Sequence, residues 1–189
     1  MKTIYFFYGT HGSGKSYWAK YFSRTTNGLY WNTDLRAASE WKEWDVESLS
    51  LYEKQKKFME YNFGRLSELY FNLYTDKVKE NIIYVDFGPH QILPYLKRLK
   101  FTDLYKEWKE KSEKVIEYFQ KGLDCCVGFY YIKPTPKILR NNIVNRGRKE
   151  WKWELKTALE IQELLEEEIN HLPLNIIEVE RFEDYTNEQ

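Results

Sequence analysis

The chain has 189 residues, of which 31% are charged and 18% aromatic, with 29 basic side chains against 29 acidic ones. That length and composition give one globular domain with a buried core and exclude a disordered chain. The balanced charge excludes a polycationic protein, so any polyanion-binding surface has to be a local patch. No apolar run is long enough to cross a bilayer and no leader pattern precedes the first apolar segment, so a cytoplasmic protein is expected.

In chain order, Lys2 to Tyr8 is an almost unbroken apolar run that stops at Gly9, the pattern of a buried parallel strand. A glycine-rich turn comes next, then a helix over Lys15–Ser23 and a second strand over Leu29–Asn32. The spacing of Leu51, Phe58, Phe63, Leu66, Leu69 and Leu73 predicts one long helix from Val46 to Lys79, with Gly64 marking a bend or a close contact. Ile82–Val85 is a buried strand ending at Asp86. After Pro89 come a short helix over Gln91–Lys100 and a helix over Asp103–Lys121 capped by Thr102 and ended by Gly122. Cys125–Ile132 is the fourth strand, Lys137–Val144 a helix, Trp153–Asn170 a Glu- and Leu-rich helix, and Ile176–Val179 the fifth strand. The two cysteines, Cys125 and Cys126, are adjacent, and neighbours on a strand point to opposite faces, which rules out an ordinary disulfide between them. They read as buried, reduced thiols without metal-ligand spacing. Strands alternating with helices predict an α/β fold, a parallel sheet with helices on both faces, in a single domain over 1–189.

Residues 9–16, Gly9-Thr10-His11-Gly12-Ser13-Gly14-Lys15-Ser16, match G-x-x-x-x-G-K-[ST] at every position, between a strand and an amphipathic helix. In this motif glycines let backbone N–H groups wrap phosphates, and the helix N-terminus adds its positive end. Lys15 is then expected at the β- and γ-phosphates of ATP and the Ser16 hydroxyl on Mg²⁺. His11 is not a motif position and reads as solvent-facing. Asp86 ends a strand, where ligands of open α/β sheets sit, and is placed to hold Mg²⁺ through water or to contact the acceptor; an Asp capping the next turn is the competing reading. Asp34 comes after the second strand, where it serves either as a base at an acceptor hydroxyl or as an N-cap. Arg140, Arg146, Arg148 and Lys149 cluster after strand four. A mobile arginine lid over about 140–153 neutralises the charge of a phosphoryl transition state, and Glu150 is a candidate contact to a sugar hydroxyl.

These residues resemble the deoxynucleoside kinase and thymidylate kinase superfamily. The likeness rests on the loop at 9–16, the strand ending in Asp86, and the run from Tyr131 through Pro134-Thr135-Pro136 to Arg146-Gly147-Arg148. It implies a five-stranded parallel sheet of order 2-3-1-4-5. It places Asp34 at the acceptor 5′-hydroxyl, Asp86 in the family's acidic motif, Arg146 and Arg148 in the lid, and the helix around Phe58 to Arg65 along the base pocket. Phe87 stands where those kinases have arginine, and Arg36 or Arg65 are the cations available to compensate. The base-reading glutamine has no clear counterpart, with Gln55 and Met59 nearby. The N-terminal segment through Asn32-Thr33-Asp34-Leu35-Arg36 is also similar to polynucleotide 5′-hydroxyl kinases, which likewise implies Asp34 as base.

The expected activity is ATP- and Mg²⁺-dependent phosphoryl transfer to a nucleoside or nucleotide, with a deoxynucleoside 5′-hydroxyl as leading acceptor. The alternatives are a nucleoside monophosphate kinase, a polynucleotide kinase and a P-loop NTPase without an acceptor. A homodimer through the long helix is a further expectation, and nucleic acid is a partner only under the polynucleotide alternative.

Overall fold

The computed structural model describes residues 1–145 and 151–180. Its elements in order are β1 (Thr3–Tyr8), α1 (Lys15–Thr25), β2 (Leu29–Asn32), a 3-10 turn (Leu35–Ala37), α2 (Glu40–Glu43), a second 3-10 turn (Val46–Ser48), α3 (Leu51–Tyr74) and β3 (Ile82–Asp86). Then come a third 3-10 turn (Pro89–Ile92), α4 (Leu93–Arg98), α5 (Thr102–Glu117), a π-helical turn (Tyr118–Gly122), β4 (Cys126–Pro134), α6 (Pro136–Asn145), α7 (Trp151–Ile169) and β5 (Leu174–Val179). The five strands form one parallel sheet in the order β2-β3-β1-β4-β5, with Phe7 opposite Asp86 and Tyr130 at the centre. This is the helix-covered α/β class that the sequence predicts, in the strand order that the resemblance implies.

Alternation along the central strands divides the core. Ile4, Phe6, Tyr8, Ile83, Val85, Phe129 and Tyr131 point to one side, against Leu66 and Leu69 of α3, Val115 of α5, Phe119 of the π-helical turn and Leu165 of α7. Tyr5, Phe7, Tyr84, Tyr130 and Ile132 point to the other, against Trp18 and Phe22 of α1 and Ile138 of α6. That second face is a layer of stacked rings: Tyr5 on Tyr84 at 5.5 Å between centroids, Phe7 on Tyr130 at 5.0 Å, and Phe22 on both Tyr130 at 5.1 Å and Tyr84 at 5.9 Å. Gly128 makes room for it, because a Cβ there would stand 2.5 Å from the Tyr5 ring.

Several sequence expectations are corrected. The long helix predicted over Val46–Lys79 is broken at Leu49 and Ser50, and α3 starts only at Leu51. Ser50 caps it in a capping box with Glu53: the Ser50 hydroxyl accepts from the Glu53 N–H while the Glu53 carboxylate accepts from the Ser50 N–H. Gly64 sits inside α3 with open space over its Cα, so no close contact explains it. Thr102 is the first residue of α5 and does not cap it; the chain turns into the helix at Lys100, whose φ is 59°. Cys125 is buried, but Cys126 is exposed; both are free. Among the described residues no helix is long and apolar enough to cross a membrane.

Candidate active site

The loop between β1 and α1 is held from three directions and by a bond of its own. The Gly9 N–H donates to Gln91 Oε1 at 2.9 Å, Thr10 Oγ1 to the Ala158 carbonyl at 2.9 Å, and Asn142 Nδ2 to the Gly12 carbonyl at 2.9 Å. Within the loop, the Ser13 N–H donates to the Thr10 carbonyl at 3.1 Å. Gly12 and Gly14 have φ of 85° and 90°, the left-handed region where a Cβ is strained. A Cβ at Gly12 would also meet Ile143 at 3.1 Å and Leu139 at 3.2 Å, so the loop lies directly on α6. Gly14 caps α1, and Lys15 and Ser16 open its first turn. The helix thus aims its free N–H groups and its positive end into the concavity, the arrangement that holds phosphates.

Lys15 is buried, with Nζ 5.7 Å from the centre of the Phe87 ring. Phe87 comes directly after Asp86 with a φ of 73° and is itself buried. The position where the resembled kinases have arginine therefore holds a ring against the loop lysine. Asp86 is 2% exposed. Its Oδ2 accepts from the Tyr30 hydroxyl at 2.9 Å, and its Oδ1 is buried without a hydrogen-bond partner among the described residues. Burial, and then the Asp86 carboxylate, raise the pKa of Tyr30, which keeps that phenol a donor. An orphaned buried carboxylate oxygen is costly unless something fills its coordination. The residues present thus fit a nucleotide phosphate with a divalent cation: backbone N–H groups of 12–16 and Lys15 for the phosphates, the Ser16 hydroxyl and Asp86 Oδ1 for the cation.

The acceptor side is built from β2 and the 3-10 turn after it. Asp34 Oδ1 accepts from the Arg36 N–H at 3.0 Å, capping that turn, and stands 3.7 Å from Arg36 Nε. The Arg36 guanidinium lies 5.3 Å over the Phe58 ring. Burial works against its charge, but Asp34, the Tyr95 hydroxyl and Glu154 outweigh it, and its pKa is raised. Arg36 also lines a cavity of about 570 Å³ with His11, Leu51, Gln55, Tyr95, Arg98 and Trp153 among its walls. The cavity adjoins the phosphate loop through His11, and its size suits a nucleoside-sized ligand.

The structure brings the loop, Asp86 and Phe87 together, and separately Asp34, Arg36 and Phe58. Arg65 is engaged elsewhere: its guanidinium stacks on Trp31 at 4.3 Å, Nε donates to the Asn32 carbonyl at 3.1 Å, and Nη1 pairs with Glu68. Arg146, Arg148 and Glu150 lie outside the described residues. His11 does not face solvent as its loop position suggests; it bonds to Tyr95 and to the Glu154 carbonyl. Sequence reasoning missed Tyr95, Arg98, Glu154 and Gln91. None sits in a motif; Tyr95, Arg98 and Glu154 reach the site because α4 and α7 pack together, and Gln91 reaches it from the 3-10 turn before α4.

No family model matches the chain, and no curated protein sequence matches it. Among solved structures it is similar to shikimate kinase from Bacteroides thetaiotaomicron, with 14% identity over 94% of this chain and 86% of that one and a TM-score of 0.55. It is also similar to the YorR protein of Bacillus subtilis, solved in complex with phosphorylated GDP, with 19% identity over 94% of this chain and 85% of that one and a TM-score of 0.56. At such identities the likeness is one of architecture, and with the sheet order and the loop at 9–16 it gives this chain the fold of the P-loop kinases.

Proposed function

We propose that this protein transfers the γ-phosphoryl group of ATP to a nucleoside-type acceptor in the 570 Å³ cavity, and that the acceptor is a nucleoside monophosphate. The carrying observation is that two arginines, Arg36 and Arg98, line a cavity that touches the phosphate loop. Guanidinium groups at a pocket wall suit a phosphate monoester. The buried Gln55 amide and the Trp153 and Tyr95 rings supply a hydrogen-bonding edge and stacking surfaces for a base. Asp34, by contrast, accepts from the Arg36 N–H as the cap of its turn and stands 3.7 Å from the Arg36 guanidinium.

In this reading an oxygen of the acceptor phosphate forms a bond to Pγ while the bond from Pγ to the ADP oxygen breaks, and no proton has to leave the acceptor. Lys15 and the N–H groups of the loop hold the β- and γ-phosphates and offset charge on the transferring group. A bound Mg²⁺, held by Ser16 and Asp86, would supply neutralisation of the phosphate oxygens. The fold likeness to a shikimate kinase and to a protein solved with a guanine nucleotide supports both the phosphotransferase reading and the choice of small-molecule acceptors.

ATP consumption with Mg²⁺ should be measured against the four deoxynucleosides, their monophosphates, ribonucleosides, shikimate and a 5′-hydroxyl oligonucleotide. Turnover with monophosphates is expected. Consumption that is equal without any acceptor would replace the kinase reading by an NTPase. Turnover confined to nucleosides would restore Asp34 as a base at a 5′-hydroxyl. Asp34→Asn separates these two kinase readings. Asparagine keeps the cap, so with a monophosphate acceptor kcat/KM should fall by no more than about tenfold. Loss of a general base would cost roughly 10²–10⁴-fold.

A further inference from the structure

We propose that the protein pairs with a second copy of itself, the outer face of α3 crossing its twin at Gly64 and Ser67, over the groove between α3 and α5. This is independent of the cavity and of what it accepts.

α3 is 24 residues long and packs Leu66, Leu69 and Leu73 against the sheet. Its other side carries Phe63, Ser67, Phe71 and Tyr74, which share one stripe at a repeat of about 3.6 residues. The rings Phe63, Phe71 and Tyr74, with Tyr118 of the π-helical turn, are 39% to 71% exposed. Two hollows that share Phe63 lie between α3 and α5. One, of about 310 Å³, is walled by Leu66, Tyr70, Val115 and Tyr118. The other, of about 390 Å³, is walled by Met59, Gly64, Leu104 and Trp108. Neighbouring exposed rings beside an apolar groove are the mark of a contact surface.

Gly64 says what kind of contact. Glycine inside a helix lowers its stability relative to alanine. Nothing stands within 4 Å of where a Cβ at Gly64 would be. The fold of the single chain therefore has no use for the missing side chain. A second helix crossing α3 at this point does, because the side chains at a crossing set how closely two helix axes approach.

Charge selects the occupant. Lys56, Glu60, Glu107 and Lys111 border the groove, two of each sign. They are balanced within the chain, with Lys57 bonded to Glu60 at 2.7 Å and Lys111 to Glu107 at 2.6 Å. A nucleic acid, an anionic membrane or a strongly charged peptide meets no net field there. The face does match itself. Two copies of α3 running antiparallel about a two-fold axis at Ser67 bring each Phe63 to Phe71 of the second copy, since both lie four residues from Ser67. The same axis brings the Glu60 carboxylate to the hydroxyl of Tyr74 of the second copy, an acceptor to a donor.

Sedimentation velocity from about 1 to 100 µM tests the pairing. The wild type should approach twice the 23.1 kDa of one chain as concentration rises. Gly64→Arg fills the crossing point and Phe71→Glu puts a charge on the stripe. Both positions are exposed in the single chain, so both variants should keep the wild-type circular dichroism. Each should weaken the dimer by at least about thirtyfold and sediment as one chain. A wild type that stays at the mass of one chain throughout overturns the proposal and leaves the face to a different protein. A dimer that survives unweakened in either variant overturns it too, because the contact then lies elsewhere.

Discussion

Replacing Lys15 by alanine should lower turnover by on the order of 10³-fold while leaving the fold intact. The ammonium is buried beside Phe87 at the mouth of α1, where water does not screen it and its interaction with phosphate oxygens is strong. Lys15→Ala should lose most of the thermal shift that ATP with Mg²⁺ gives the wild type. Steady-state kinetics beside a melting curve with and without ATP reads both. Wild-type turnover in the variant would remove the loop at 9–16 from the reaction.

Trp108→Ala should have the opposite profile, a large loss of stability from a residue that touches no substrate. Trp108 is 2% exposed, within a cluster with Met59, Phe87, Ile92 and Leu104. Its indole Nε1 donates to the Pro89 carbonyl at 2.8 Å, and Ser112 Oγ donates to the same oxygen at 3.0 Å. Truncation loses the transfer free energy of the ring, leaves a cavity, and takes one donor from Pro89, a cost of about 3–5 kcal/mol. For a domain of this size that corresponds to a drop in melting temperature of roughly 10 °C. Pro89 opens the turn that carries Gln91 to the Gly9 N–H, so residual folded protein should also bind ATP less tightly. Trp108→Phe, which keeps most of the volume and gives up the hydrogen bond, should cost about 1–2 kcal/mol. A Trp108→Ala variant within about 1 kcal/mol of wild type would mean that this cluster relaxes around the gap.

The sheet is readable because its strands are short apolar runs, with β1 stopping at Gly9 and β3 at Asp86, and the phosphate loop because its residues are contiguous. Where the sequence misleads, a long-range contact or an overlooked cap decides the outcome. Val46 and Leu49 continue the apolar spacing of α3, which draws the helix too far back. The Ser50–Glu53 pair is the available sign that it starts later. His11 looks solvent-facing because its partners, Tyr95 and Glu154, are 84 and 143 residues away. The acceptor cavity has the same origin: Arg36, Gln55, Tyr95 and Trp153 come from four elements, and no spacing in the sequence links them. Asp34 reads in the sequence both as a base and as a cap, and in the fold it caps the Leu35–Ala37 turn through the Arg36 N–H.

The ring layer on the α1 side of the sheet has an optical consequence. Tyr5, Tyr84 and Tyr130, with Phe7 and Phe22 between them, are fixed in a chiral lattice at centroid spacings of 5.0 to 6.1 Å. Phenols held this way give near-ultraviolet circular dichroism only while their packing is unique, whereas the far-ultraviolet signal needs the backbone alone. On acidification or mild denaturation the near-ultraviolet band should fade first. The sheet thus carries a built-in gauge that separates a tightly packed protein from a merely collapsed one.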